Sequence, residues 1–161
     1  ALEILDGMAE QVEYDAQRVE LRRLLKEHNK QSAGVAKAAG VTNFEAYNGA
    51  GLSGLYGGMT KASLLKHKGL PDEADRLEHC GHEELAANYF KATQAIAKIK
   101  RDKIKGQTEA NQAHLEVGQA VRKTIAEIGG TMPENLPAEP SIKKLESARK
   151  KAQKALEKKK N

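Results

Sequence analysis

Apolar residues recur along this chain at intervals of three and four, and no segment alternates apolar with polar as a half-buried strand would. Ile4, Leu5, Met8, Val12, Val19, Leu21, Leu24 and Leu25 keep that spacing and predict a long amphipathic helix from Leu2 to about His28, with Gly7 tolerated inside it. A second, short helix is expected from Gln31 to Ala39, closed by Gly40 as a C-terminal cap. Thr42 or Asn43 can cap a brief helical turn from Phe44 to Asn48. Gly49, Gly51, Gly54, Gly57 and Gly58 then crowd into ten residues, with Leu52, Leu55 and Tyr56 as apolar anchors among them, so this segment reads as an ordered glycine-rich loop.

Beyond the glycines, Thr60 is placed to cap a helix from Lys61 to about His67. Pro71 with Asp72 and Glu73 marks the start of another, ending near Cys80 and Gly81. Two stronger helices follow. The first runs from His82 to about Lys103, acidic at its start and basic at its end, and the second from Gln107 to Ile128, closed by Gly129 and Gly130. Residues 131–140 carry three prolines and form a connector. Ser141 then caps a basic helix with a thin apolar stripe of Ile142, Leu145, Ala152 and Leu156. The fold class is therefore all-α, an irregular multi-helix bundle. Four parts are expected: a long helix over residues 1–30 continuing from an upstream domain, a helical core over 31–132, a connector over 133–140 and a basic helix over 141–161.

Composition supports this and narrows the chemistry. The 161 residues are 39% hydrophobic, 4% aromatic and 30% charged, with no tryptophan, which suits helices around a modest core. The net charge of +5 is unevenly spread: residues 141–161 hold nine lysines or arginines against Glu146 and Glu157, a local charge of +7 that leaves residues 1–140 at −2. A single cysteine, Cys80, excludes an internal disulfide and fits a reducing compartment. No apolar run reaches the roughly 20 residues that span a bilayer, and the first residues have no signal-peptide pattern.

Motifs of enzymes are spelled but lack their setting. Gly49-x-Gly51-x-x-Gly54 follows no apolar strand, so it reads as a structural turn needing positive φ rather than a dinucleotide site. His79, Cys80 and His82 are spaced too tightly for a zinc site, and His82-Glu83-Glu84 lacks the second histidine of a zinc-protease helix. No nucleophile elbow occurs, no carboxylate pair stands in an apolar context, and the five histidines lie mostly among polar residues. No catalytic residue, cofactor or metal is assigned. Residues 32–48 resemble in part a helix-turn-helix through Ala36, Gly40, Val41 and Thr42, with Gly49 and Gly51 cutting the second helix short. Two basic stretches are candidates for phosphates or an acidic protein surface: Lys98, Lys100, Arg101 and Lys103, and Lys143, Lys144, Arg149, Lys150, Lys151 and Lys154.

Several blocks occur in a characteristic order: Leu25 to Gln31, which includes His28, Asn29 and Lys30; Gly54-Leu-Tyr56-Gly57-Gly58; Lys68-Gly69-Leu70; Glu84-Leu-Ala-Ala-Asn88; Phe90 to Gln94; and Ile128 to Pro137. In these blocks the chain resembles the C-terminal region of the bacterial DNA-damage-inducible protein D family. Where that family has Gly-Ser ahead of the Glu84 helix, Gly81-His82 stands here. The resemblance implies a non-enzymatic cytoplasmic or nucleoid-associated module of the SOS response. It would restrain RecA recombinase filaments on single-stranded DNA and lack the phage BRO-type N-terminal domain of full-length members. A DNA-binding regulatory domain and a self-associating scaffold are the alternatives.

Overall fold

One uninterrupted helix of 37 residues, α1 (Leu2–Ala38), stands where two were expected. Nothing between Asn29 and Gly34 removes a backbone donor, and the Ser32 hydroxyl donates to the His28 carbonyl at 2.6 Å, so the polar residues there satisfy themselves within the helix. Gly34 costs about 1 kcal/mol relative to alanine, which flanking helix formers absorb. The helix ends as expected at Gly40, with φ of +97°.

The computed structural model describes residues 2–160, and among them every regular element is helical. The remaining helices are α2 (Phe44–Leu55), α3 (Lys61–His67), α4 (His82–Arg101), α5 (Gln107–Glu127) and α6 (Ile142–Lys160), with short 3-10 turns at Arg76–His79 and Pro133–Asn135.

The largest departure from the sequence pattern is α2. Asn43 caps it, accepting from the Ala46 amide at 2.9 Å, and the helix then continues through Gly49, Gly51 and Gly54 instead of opening into a loop. Glycine is a poor helix former, so the cause is tertiary. A Cβ on Gly51 would lie 2.2 Å from the His114 ring, one on Gly54 would lie 2.3 Å from the Leu115 carbonyl, and one on Gly118 would lie 2.7 Å from the Gly51 carbonyl. Helices α2 and α5 thus cross backbone against backbone, and the contact recovers the propensity cost. Only Gly57 and Gly58, just past the helix, use positive φ.

Three apolar clusters form the core. Ala36, Val41, Tyr47, Ile96, Ile99 and Ala113 join the end of α1 to α2, α4 and α5. Leu52, Leu55, Tyr56, Leu64 and Val121 join α2, α3 and α5. Cys80, Leu85 and Ile142, with Val19, Leu21 and Leu77 against them, join α1 and α4 to the root of α6. The turn between α1 and α2 is held from α5, where Gln107 Oε1 accepts from the amides of Thr42 and Asn43, both at 2.9 Å.

The Thr60 cap is present and reciprocal with Ser63. The helix expected after Pro71 is not formed: residues 71–75 turn, and Asp75 caps only the 3-10 turn at Arg76–His79. Its side chains are needed elsewhere, as described below. Gly81 opens α4 with no side-chain cap, and the His82 amide donates instead to the Tyr14 hydroxyl of α1 at 3.3 Å.

The apolar face read for α1 is corrected in its first third. Ile4, Leu5, Met8 and Val12 are 62–70% exposed, while Arg18, Arg22 and Leu25 turn into the molecule. Residues 133–140 dock on the body rather than swing free: Pro133 is buried and the Glu139 amide donates to the His79 carbonyl at 2.8 Å. Ile142 is 1% exposed, yet α6 is exposed from Ser147 onward.

Candidate functional site

Four of the motif positions meet inside the molecule. Tyr56 is fully buried at the end of α2, and its hydroxyl donates to Glu84 Oε2 at 2.5 Å. The other carboxylate oxygen, Oε1, accepts from Lys68 Nζ at 2.8 Å, and that ammonium also donates to the carbonyls of Pro133 and Leu136. Asn88, one turn after Glu84, donates to the Tyr56 oxygen at 3.0 Å and to the Glu84 carbonyl at 2.8 Å. Arg76 closes the group, donating to the Tyr56 oxygen at 3.0 Å and to Asn88 Oδ1 at 3.3 Å, with its guanidinium 5.2 Å from the Tyr56 ring centre. Burial holds the Tyr56 phenol well above its ordinary pKa, so it acts as a donor throughout the neutral range. The arrangement ties α2, α3, α4, the Arg76 turn and the 131–140 segment to one buried ion pair.

A second polar group fastens the start of α6. Arg18 Nε donates to the Cys80 carbonyl and its Nη2 to the Pro140 carbonyl, both at 2.9 Å. Arg22 pairs with Glu78 and Asp75 at 3.1 Å, and the far oxygen of Glu78 accepts from the Lys143 amide at 3.1 Å. Tyr14 donates to Glu139 at 2.6 Å. Burial pushes the Cys80 thiol, enclosed between these groups, up to about 12, so it is inert rather than nucleophilic. Among the described residues no group of three or more His, Cys, Asp or Glu is placed to hold a metal.

Between α1, α2 and α4 lies a cleft of about 970 Å³. His28 stands on its α1 side, bonded to the Ser32 hydroxyl at 3.0 Å and edge-on to Tyr89, while Asn29 lines the rim and Lys30 is exposed. Lys91 and His114 belong to the inner wall, 6% and 3% exposed. Desolvation, with the nearby Arg76 charge, pushes the Lys91 amine down to about 7. Desolvation and the Lys91 charge hold the His114 imidazole down at about 3.

The two basic stretches occupy separate places. Lys98 and Arg101 both approach Asp102 at 3.4 Å, Lys100 is exposed, and Lys103 adopts φ of +50° in the turn toward α5. Beside them Lys105 donates to the Ala38 carbonyl, so this patch sits at the end of α1. The α6 root meets α1 near Arg22, sixteen residues earlier, or about 24 Å along the helix axis at 1.5 Å per residue. Lys143, Lys144, Arg149, Lys150, Lys151 and Lys154 are all exposed on α6. By contrast α2, which would be the reading helix of a helix-turn-helix, contains no lysine or arginine and packs its Tyr47, Gly51, Leu52 and Leu55 inward.

Comparison with known proteins accounts for the blocks noted in the sequence. The profile of the DinD C-terminal domain matches residues 12–145. The chain belongs to that family. It is 46% identical over 147 residues to DNA damage-inducible protein D of Escherichia coli (strain K12), an alignment covering 89% of this chain and 54% of that relative. The chain thus spans about half the length of the curated relative it matches. No solved structure matches. No helix among the described residues is long and apolar enough to cross a membrane.

The structure sorts the family positions. Tyr56, Lys68, Glu84 and Asn88 build the buried network, Gly57, Gly58 and Gly69 take positive φ at helix ends, and His28 and Asn29 face the cleft. Arg18, Arg22, Arg76, Lys91 and His114 escaped the sequence reading, which treats cations on helices as solvated. Histidines as a group were expected in polar surroundings, yet His114 lies against Gly51 and the Tyr47 ring, 4.3 Å between centroids. A weak signal was available in Gly51 and Gly118, since small residues on facing helices announce close approach and an enclosed neighbour.

Proposed function

We propose that the chain is the non-enzymatic helical module of a bacterial DNA-damage response protein, acting in the cytoplasm to modulate RecA-type recombinase filaments on single-stranded DNA. The observation that carries this reading is α6, a fully displayed basic helix on a docked root. Lys143, Lys144, Lys150, Lys151, Lys154 and Lys158 fall within about a third of its circumference, while Leu145, Ala152 and Leu156 lie opposite. Ile142 and the Glu78–Lys143 bond fix where it leaves the body. Such a face suits phosphates or an acidic protein surface, and the charge of the body adds little to it. The network around Glu84 serves stability, since both oxygens of its carboxylate are occupied within the protein.

The test is binding of the chain to RecA–single-strand filaments, by anisotropy, across a salt series. Binding should weaken steeply with salt and fall at least tenfold when Lys150 and Lys154 are both changed to Glu. Unchanged binding in that variant, or no binding to filaments, removes the reading. Equal binding to bare duplex DNA would favour a DNA-binding regulator instead.

A further inference from the structure

Two stretches of helix stand clear of the body. Residues 3–13 of α1 are all exposed, and so are residues 147–160 of α6. The first carries Ile4, Leu5, Met8 and Val12, 62–70% exposed, on one arc of the helix. That arc is turned about 90° from the face that takes Arg18, Arg22 and Leu25 into the body, so it does not continue the buried face. On α6, Leu145, half-buried at the root, and the exposed Ala148, Ala152, Ala155 and Leu156 form a stripe within about 100° of the circumference. A helical stretch of this length without tertiary packing is marginal in water, and the first is weakened further by Gly7, where a Cβ would meet nothing within 4 Å.

The two stretches are opposite in charge and in bulk. Residues 1–17 hold Glu3, Asp6, Glu10, Glu13 and Asp15 with no lysine, arginine or histidine, a local charge of −5 against the +7 of residues 141–161. Among the described residues none of these five acids, and no cation of α6, takes part in a salt bridge. Two α1 stretches therefore repel each other, as do two α6 helices, whereas one of each attracts. Bulk follows the same rule: large side chains line the α1 arc and alanines form the centre of the α6 stripe, so the ridges of one fit the low surface of the other. The arcs are of similar length, about 12 Å and about 16 Å. Within one chain the two stretches do not cover each other, since both remain exposed. They leave the body from neighbouring points, where Tyr14 donates to Glu139 and Ile142 packs against Val19.

We infer that these stretches are the two halves of an interface between copies of this chain: the exposed start of α1 in one protomer lies along the apolar stripe of α6 in its partner, and the reverse. A twofold axis makes both pairs equivalent and leaves neither stretch over, which closes the assembly at a dimer. Arg149 and Lys159 border the α6 stripe, within reach of acids on the paired α1. Lys143, Lys150, Lys154 and Lys158 lie on the far side of α6 and stay displayed. The dimer is therefore compatible with the filament reading and does not rest on it.

Sedimentation velocity of the full chain over about a hundredfold range of concentration tests this, with two double variants. Leu5→Glu with Met8→Glu spoils the α1 arc, and Ala152→Glu with Leu156→Glu spoils the α6 stripe. Each position is exposed in the single chain, so both variants keep the fold, which circular dichroism verifies. The parent is expected to dimerise, and each variant alone to do so at least tenfold more weakly. An equimolar mixture of the two variants should dimerise more strongly than either alone, because one intact α1 arc then meets one intact α6 stripe. Pairing of α1 with α1, or of α6 with α6, predicts otherwise: one variant would dimerise as the parent does and mixing would add nothing. Either result overturns the assignment, as does a parent that is monomeric throughout, which would leave the α1 arc to a different partner.

Discussion

Individual side chains divide into those that answer one another and those that do not. Glu84 and Lys68 form a buried pair, 2% and 4% exposed at their side chains, and each is bonded at every available side. Glu84→Gln leaves Lys68 without its counter-charge and is expected to cost about 3–5 kcal/mol, read as a lower urea midpoint with unchanged slope. Lys91 behaves in the opposite way. Its amine titrates near 7 in the folded chain and at its ordinary 10.5 when unfolded, so between those values the unfolded state binds the extra proton and stability rises with pH. Lys91→Met is accordingly expected to stabilise the chain at pH 6, with the gain fading as pH rises toward 10.5. Denaturation midpoints at pH 6, 8 and 10 check the sign. His114 follows the same rule lower down: folded about 3 against 6.5 unfolded, its contribution is whole above 6.5 and is lost as pH falls toward 3.

Helices here are decided by what they pack against. Gly49 and Gly54 are both inside α2, five residues apart, but a Cβ on Gly49 meets nothing within 4 Å and one on Gly54 strikes the α5 backbone. Gly49→Ala should therefore raise stability by about 1 kcal/mol, the propensity difference. Gly54→Ala should lower it by about 1–3 kcal/mol through overpacking, and thermal melts of the pair separate the two effects. A turn at positive φ in this place, as the composition alone suggests, would make both substitutions destabilising. The same dependence explains the 3-10 turn at Arg76–His79, where a regular helix would carry Arg76, Glu78 and Asp75 away from Tyr56 and Arg22.

At the scale of the molecule, one end of α6 belongs to the core and the rest is displayed. Ile142→Ala removes a fully buried side chain from the α1–α4 junction and should cost about 2–5 kcal/mol. Leu156→Ala, at a position 60% exposed in the single chain, should change the stability of the dilute monomer by no more than about 0.5 kcal/mol. A large loss at Leu156 in solution would mean that the outer stripe of α6 is covered by a second copy, which concentration-dependent melting would reveal. The two basic stretches, about 24 Å apart along α1, form separate surfaces, so their substitutions should act additively on any polyanion.

The helical class, the cap at Thr60, the stop at Gly40, the spans of the fourth and fifth helices and the basic final helix follow from periodicity, capping residues and local charge. These are properties of neighbouring residues, and the sequence by itself determined them. It also carried the family blocks, though not what their residues do. Tertiary structure alone decided that the glycine run is a helix, that one helix replaces two at the N-terminal end, and that the 131–140 segment docks. It alone placed Arg18, Arg22, Lys91 and His114 inside and set Arg76 against Tyr56. The physical reason is the same in each case: local propensities of about 1 kcal/mol yield to burial, backbone contact and buried ion pairs worth several times more. Those terms act between residues of different elements, from 16 positions apart for Lys68 with Glu84 to 125 for Tyr14 with Glu139, which meet only when the helices pack.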